Sequence, residues 1–521
     1  MAGPSPGVVE MVELNAQEER IFNTLKQTLA HFGLKTQLRV AGGWVRDKLL
    51  RRDSGDIDIA LDDQMGVDFA EKVNEYLRLR GEQTREIGHI KSNPDQSKHL
   101  ETAKVKIHGT EIDFVNLRSE TYAEGSRIPE ATFGTAEQDA FRRDLTINSL
   151  FYNIGTGEVE DLTGKGKADL LARVIRTPLP PRTTFLDDPL RVLRAVRFGA
   201  RFGFTLDPEL VEAASSAEVR AALGTKVSRE RMGVEIDLML KGPDPVGAMR
   251  WFDRCGLFST IFQLPPNCAP AEPQTYGQSA VASLASSAAL LDAWPKTEVD
   301  SQLPPELRRI FLLAALLLPV KAVTYKEKKS MQPVSKFVIR EGLKLPAKDA
   351  DRVAALHVGS DEFAAAAPAL LSPDEEAATS TTGDGMDSLS ARRRITAGHL
   401  VRRLKELWHA AAILSAVSAL SSEPSKPSDA AETAALLVQS VREMGLDRAW
   451  EMKPLLDGKA IMAMVGKPGP QIAELTQKVL DWQFAHPKGS VQECSQWLEG
   501  VWRSLGSSEQ HGNTYPSKKQ R

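Results

Sequence analysis

The stretch Leu38 to Leu61, LRVAGGWVRDKLLRRDSGDIDIAL, constrains the fold more than any other part of this 521-residue chain. Leu38 to Ala41 reads as a short strand, Gly42 and Gly43 turn the chain, and Trp44 opens a helix of roughly two turns. A polar turn then leads to a second strand that carries Asp56 and Asp58. Period-2 alternation sends both aspartates to one face and Ile57 and Ile59 to the other. Two neighbouring carboxylates push each other's pKa up, and a hard divalent cation relieves them. Mg²⁺ suits the position because it commonly takes one or two carboxylates and completes its shell with substrate phosphates. Glycines at a helix N-terminus carry no Cβ, so backbone N–H groups can approach a triphosphate closely.

A chain of this length holds three or four domains. Hydrophobic residues at 42% and charged ones at 26% are ordinary for a globular protein, and no apolar run approaches the roughly 18 residues of a membrane span. Cys255, Cys268 and Cys494 are too scattered for a disulfide framework or a zinc site, which fits a reducing compartment. The net charge of −3 excludes a general nucleic-acid coat, so RNA contact would have to come from local basic faces. Residues 1–15 contain no lysine or arginine, unlike a mitochondrial or secretory leader. The expected location is cytoplasm and nucleus, with mitochondrion or plastid open through an upstream start.

Three further constellations follow. The segments Lys104 to Ile107 and Glu111 to Leu117 form a hairpin, and its Asp113 reads either as a third acid beside the pair or as an edge-strand carboxylate. In Phe141 to Leu150, FRRDLTINSL, the Arg142 and Arg143 forks suit phosphate oxygens, and Asp144 suits both a ribose hydroxyl and the N-cap of a following helix. In Leu186 to Arg201, Asp187 is expected to cap a helix on which Arg191, Arg194, Arg197 and Arg201 form one stripe. Like charges there demand opposing anions, so the stripe is either a solvated basic face or a nucleotide-reading helix. His89, His99 and His108 share no metal-ligand spacing and read as surface residues.

The combination GGWVRD, DID, RRDLTIN and DDPLR resembles the class II nucleotidyltransferases, that is, tRNA CCA-adding enzymes and bacterial-type poly(A) polymerases, within the DNA polymerase beta superfamily. VEDLTGKGKADL resembles the family's flexible connector, SRERMGVEIDLML its fifth motif, a supporting helix, and KPLLDGKAIMAMVGKPGPQIAEL the C-terminal segment of eukaryotic, plant and algal CCA-adding enzymes. The resemblance implies an α+β fold: a nucleotidyltransferase head with a small, five-stranded mixed sheet, then an all-α neck, body and tail in a crescent. The implied boundaries are an N-terminal helix at 1–36, the head at 37–155, the neck at 156–262, the body at 263–435 and the tail at 436–521. Loops without fixed structure are expected over Ser372 to Gly385 and Ser421 to Asp429.

By the same resemblance Asp56 and Asp58 hold two Mg²⁺ ions and carry the catalysis. Gly42, Gly43, Arg46, Arg142, Arg143, Asp144, Asp188, Arg191, Arg194 and Arg197 bind nucleotide, with Asp188 and Arg191 serving as a protein template. Asp187 stands where the family usually has a glutamate. The implied substrates are CTP, ATP and tRNA, used by a monomer without a membrane. Arg392, Arg393, Arg402 and Arg403 make a basic helix face, either a tRNA phosphate contact or a solvated surface. A poly(A) polymerase, a CC-only or A-only enzyme and a silent tRNA-binding module share parts of the pattern.

Overall fold

A seven-stranded sheet carries the head, in the order β3-β4-β5-β2-β1-β8-β9, in a computed structural model that describes residues 8–84, 86–90, 102–122, 129–266, 268, 275–294, 303–372, 386, 388–422, 426–466 and 469–509. Its strands are β1 (Leu38–Ala41), β2 (Ile57–Leu61), β3 (Gly88–Ile90), β4 (Thr102–Ile107), β5 (Thr110–Asn116), β8 (Phe151–Asn153) and β9 (Glu158–Glu160). Between them, β6 (Arg118–Tyr122) and β7 (Pro129–Phe133) form a separate ribbon. Five strands were expected; β3 and β9 add short edges of three residues each, too brief to show alternation. β2 pairs with β5 in parallel and with β1 antiparallel, so the sheet is mixed.

Helix α1 (Ala16–Phe32) starts at a capping box in which Asn15 and Glu18 exchange side-chain and backbone bonds. Its Ile21, Phe22 and Leu25 are fully or almost fully buried, as their spacing predicts. Glu18 is buried too, where it accepts from the Trp44 indole at 3.1 Å and from Lys48 at 2.6 Å, tying α1 to α2 (Gly43–Leu49). α3 (Gly66–Leu79) packs Phe69 edge-on against Phe114 of β5. These contacts close the core under the aspartate strand.

Helices α4 (Ala136–Phe141), α5 (Gly166–Ala172), α6 (Pro181–Asp187), α7 (Leu190–Phe202), α8 (Pro208–Ala214), α9 (Ala217–Lys226), α10 (Arg229–Lys241), α11 (Pro245–Arg254) and α12 (Phe258–Ile261) complete the first of two structural units, Met1–Ala269 with Phe337–Leu345. A short parallel pair, β10 (Val174–Ile175) and β11 (Thr205–Leu206), lies among them. The expected head and neck thus share one unit. The returning segment packs on α10 at Gly233, where a Cβ would stand 1.8 Å from the Leu343 carbonyl oxygen, a position only glycine allows.

The second unit, Pro270–Lys336 with Pro346–Arg521, holds α13 (Tyr276–Asp292), α14 (Pro305–Leu316), most of the short α15 (Val334–Phe337), α16 (Ala347–Leu371), α17 (Leu389–Leu404), α18 (Trp408–Ser422), α19 (Pro427–Glu443), α20 (Gly458–Val465), α21 (Gln471–Ala485) and α22 (Val491–Glu509). One hairpin, β12 (Thr324–Glu327) with β13 (Ser330–Pro333), departs from the all-α expectation; its residues alternate too weakly in polarity to announce strands. Residues 421–422 and 427–429, expected in a loop, are helical, because Pro427 at the first position of α19 starts that helix rather than breaking one. The other expected loop lies, apart from Ser372, outside the described residues, as does His99. Among the described residues no helix is long and apolar enough to cross a membrane.

Candidate active site

The sheet brings three carboxylates to one face. In β2, Ile57, Ile59, Ala60 and Leu61 are buried while Asp56, just before the strand, and Asp58 are exposed, as the alternation requires. Parallel register sets Asp113 of β5 directly beside Asp58. β5 lies between β4 and β2, so Asp113 is not an edge-strand carboxylate. Asp58 is held above the usual carboxylate range, first by loss of surrounding water and then by Asp113 and Asp56, with Arg143 and Lys104 pulling the other way. Lys104, across the hairpin from Asp113, pairs with it at 3.3 Å. Among the described residues no three acidic, histidine or cysteine side chains make a closed metal cage. The open, acid-rich donor set fits a hard cation whose remaining ligands come from substrate oxygens.

Gly42 has φ 69 and ψ −114, backbone that an L side chain rarely adopts. A Cβ there would meet Arg143 Nη1 at 2.7 Å and the Asn148 carbonyl oxygen at 3.2 Å. Gly42, Arg143 and the acid pair therefore share one locality. Arg143 is aimed by Asp139, which is 1% exposed and accepts from Arg143 Nη2 at 2.7 Å and from Arg142 Nη2 at 2.5 Å. Arg142 also reaches Glu120 of β6 at 2.9 Å.

The helix expected after Asp144 is instead placed before it. α4 ends at Phe141, and only a 3-10 turn, Thr146–Asn148, follows before β8. Asp144 is therefore no N-cap. Its carboxylate is 8% exposed as a residue and faces Arg194 Nε at 2.7 Å and Asn148 Nδ2 at 3.0 Å, so it ties this turn to α7 rather than presenting both oxygens outward. Asp187 is not a cap either: it closes α6, and Asp188 accepts from the Leu190 N–H at 3.2 Å ahead of α7.

The arginine stripe on α7 is answered by the protein's own acids, with only Arg201 at its end exposed. Each member meets an acid from a different part of the first unit: Arg191 lies 3.9 Å from Glu120, Arg194 2.7 Å from Asp144, Arg197 2.5 Å from Glu235 of α10, and Arg201 3.8 Å from Asp47 of α2. Arg191 also donates to the Arg142 carbonyl at 2.7 Å. Arg194 and Arg197, expected on nucleotide, are thus engaged inside the protein. Arg46 is likewise buried at 4% exposure. It bonds Asp47 at 2.9 Å and the Asn148 side chain, with the Phe198 and Phe202 rings within 5.1 Å and 4.8 Å, so it braces the site from behind.

His108 is not a surface residue. Its side chain is 6% exposed and shares a 2.8 Å hydrogen bond with Thr24, and burial lowers its pKa. In the second unit the basic face of α17 is divided: Arg393 and Arg402 turn to its neighbours, while Arg392 and Arg403 are exposed. Arg393 donates to the Ser372 carbonyl at 3.0 Å and to Ser440 at 2.8 Å; Arg402 donates to the carbonyls of Ala449 and Met452 at 3.0 and 2.7 Å; Arg403 pairs with Glu362.

Sequence reasoning missed Asp139, Lys104, Glu120 and Glu235. Two were within reach: Asp139 precedes Arg142 and Arg143 by three and four residues, the helical spacing of ion pairs. The two-residue turn His108-Gly109 fixes Lys104 opposite Asp113.

With this geometry in view, the chain matches the poly A polymerase head domain over residues 38–176. A tRNA nucleotidyltransferase of Schizosaccharomyces pombe is 36% identical over 507 residues, covering 94% of this chain and 99% of its own length. The chain belongs to the class II tRNA nucleotidyltransferases. The mitochondrial CCA tRNA nucleotidyltransferase of Saccharomyces cerevisiae is 36% identical over 498 residues, 89% of this chain and 88% of that one. Among solved structures, the Bacillus stearothermophilus CCA-adding enzyme in complex with CTP superposes with a TM-score of 0.61 at 20% identity, over 95% of this chain and 100% of that chain, a likeness of fold.

Proposed function

We propose that this protein adds CCA to the 3′ end of tRNA from CTP and ATP without a nucleic-acid template. The observation that carries the reading is the acid face of Asp56, Asp58 and Asp113 beside Gly42 and Arg143, on a chain matched nearly end to end by tRNA nucleotidyltransferases. Asp56 and Asp58, with Asp113 alongside, would hold divalent metal, which when bound activates the RNA 3′-hydroxyl and neutralises the departing pyrophosphate. The Gly42–Gly43 backbone admits the triphosphate, and Arg143, pinned by Asp139, faces its phosphate oxygens. Arg194, Arg197 and Arg46 hold α7 against the head.

Base choice falls to Asp188 and Arg191. Cytosine and adenine both offer an amino donor beside a ring-nitrogen acceptor, which a carboxylate and a guanidinium satisfy together. Uracil and guanine reverse the order and leave two groups unpaired, at about 1 to 3 kcal/mol each. The S. cerevisiae relative is named as mitochondrial, so an organelle pool beside a cytoplasmic and nuclear one is part of the proposal.

A poly(A) polymerase shares the head, and it is the S. pombe tRNA nucleotidyltransferase that matches onward through the helical units, over 94% of this chain. Purified protein incubated with labelled CTP or ATP and tRNA lacking its 3′ end, with a poly(A) primer in parallel, decides. Three added residues on tRNA and none on the primer support the reading. Extension of the primer, or addition of C alone or A alone, refutes it.

A further inference from the structure

Asp188 makes a contact that the base-reading scheme does not use. Its Oδ2 accepts from Arg231 Nη2 at 2.8 Å and its Oδ1 lies 3.4 Å from Arg231 Nη1, so a guanidinium fork faces the whole carboxylate. Arg231 sits in the first turn of α10, where its backbone N–H bonds the Ser228 cap at 3.4 Å. α10 in turn packs on α7, the helix that carries Arg191. We propose that Arg231 is a positioning residue for base selection, fixing the plane of the Asp188 carboxylate so that it meets the amino group of cytosine or adenine. The proposal rests on the assignment of Asp188 to base reading.

An aspartate at the junction of two helices can rotate about two torsions, and a freely rotating carboxylate discriminates poorly between an amino group and a carbonyl reached through rotation or water. A planar fork with parallel N–H donors removes that freedom. A carboxylate offers about four lone-pair directions. The Leu190 N–H and the two Arg231 donors use up to three of them, leaving one for a base amino group. Stability is a weak reason for the pair, because its side chains are 35% and 17% exposed and such pairs contribute little to folding. The consequence should therefore appear in selectivity.

The test measures kcat and KM for CTP, ATP, UTP and GTP in the full-length Arg231→Ala, Arg231→Lys and Asp188→Ala proteins and in the Asp188→Ala/Arg231→Ala double variant, with melting temperature recorded for each. Arg231→Ala should lose about 10- to 100-fold in kcat/KM for CTP and ATP together and admit UTP and GTP, with Arg231→Lys in between. The double variant should be no worse than Asp188→Ala, because Arg231 acts only through that carboxylate. Independent, multiplying losses in the double variant overturn the proposal, as does Arg231→Ala that slows yet rejects UTP and GTP as strictly as the parent while Asp188→Ala relaxes. Should Asp188→Ala itself stay strict, the base-reading assignment fails and the proposal falls with it.

Discussion

Asp144→Asn tests the tie between the RRD turn and α7, and its cost can be worked from the site. Burial alone would raise the Asp144 pKa, but Arg194, Asn148 and Arg191 outweigh it and bring the group from 3.8 down to about 2. A shift of that size corresponds to about 2 to 3 kcal/mol. The Arg194 side chain is 34% exposed, so screening trims the contribution to about 1 to 2 kcal/mol. Asparagine keeps the shape but leaves Arg194 facing a neutral group, and the variant should lose that amount at pH 7. Because the folded pKa lies below the unfolded one, the stabilisation is complete above about pH 5, falls by about half near pH 3 and is gone once pH drops below 2. Wild type and variant should therefore converge on acidification. Urea unfolding followed by circular dichroism at pH 7 and pH 3, with hydrogen exchange at pH 7 over residues 141–153 and 190–202, measures both the loss and its location. Equal midpoints at pH 7, or a gap that does not narrow by pH 3, would refute the argument. In turnover, KM for CTP and ATP should rise together, because the displaced turn also carries Arg143.

Asp56→Ala and Asp58→Ala should each leave less than about a hundredth of the parent's turnover, while tRNA affinity by filter binding stays within about three-fold, since a lost metal clamp is worth several kcal/mol and the carboxylates hold no RNA. Substantial residual turnover would remove the metal assignment. Gly42→Ala forces a side chain into φ 69 and against Arg143, so it should cost about 1 to 3 kcal/mol of strain in thermal melts and depress kcat for both nucleotides; an unchanged enzyme would mean that this turn does not shape the triphosphate site. Arg402→Ala strips a charged donor from two carbonyls and should destabilise the second unit by about 2 to 3 kcal/mol while leaving the salt dependence of tRNA binding unchanged. A salt slope reduced by about one would show that Arg402 touches phosphate instead.

How much of this could be read from residues alone depends on whether a group's partner is near in sequence. The aspartate strand, the glycine turn and the face shared by Asp56 and Asp58 follow from local alternation and backbone sterics, and the structure has them where the pattern puts them. Asp144 and the stripe on α7 went differently. Their residue types announced ion pairing, but the Asp144 and Glu235 carboxylates that answer Arg194 and Arg197 come from elements 50 and 38 residues away, and no periodicity links such positions. A sequence shows that four arginines on one stripe need anions; only the fold shows whether the anions are a substrate's or the protein's own.

Here every member of the stripe lies near one of the protein's own carboxylates. Arg194, Arg197 and Arg201 each face a protein carboxylate, which lets α7 lie against α2, the RRD turn and α10 without repulsion among its own charges. The same helix begins just after Asp188, which faces the Arg231 fork, and Arg191 donates to the Arg142 main-chain carbonyl and lies 3.9 Å from Glu120. A carboxylate fixed from one side and a guanidinium fixed from the other keep their spacing whether cytosine or adenine is present. On the proposed assignment of Asp188 and Arg191 to base reading, a site that accepts two bases of different size gains selectivity by holding those side chains still, through the Arg231 fork on one and the Arg142 carbonyl on the other.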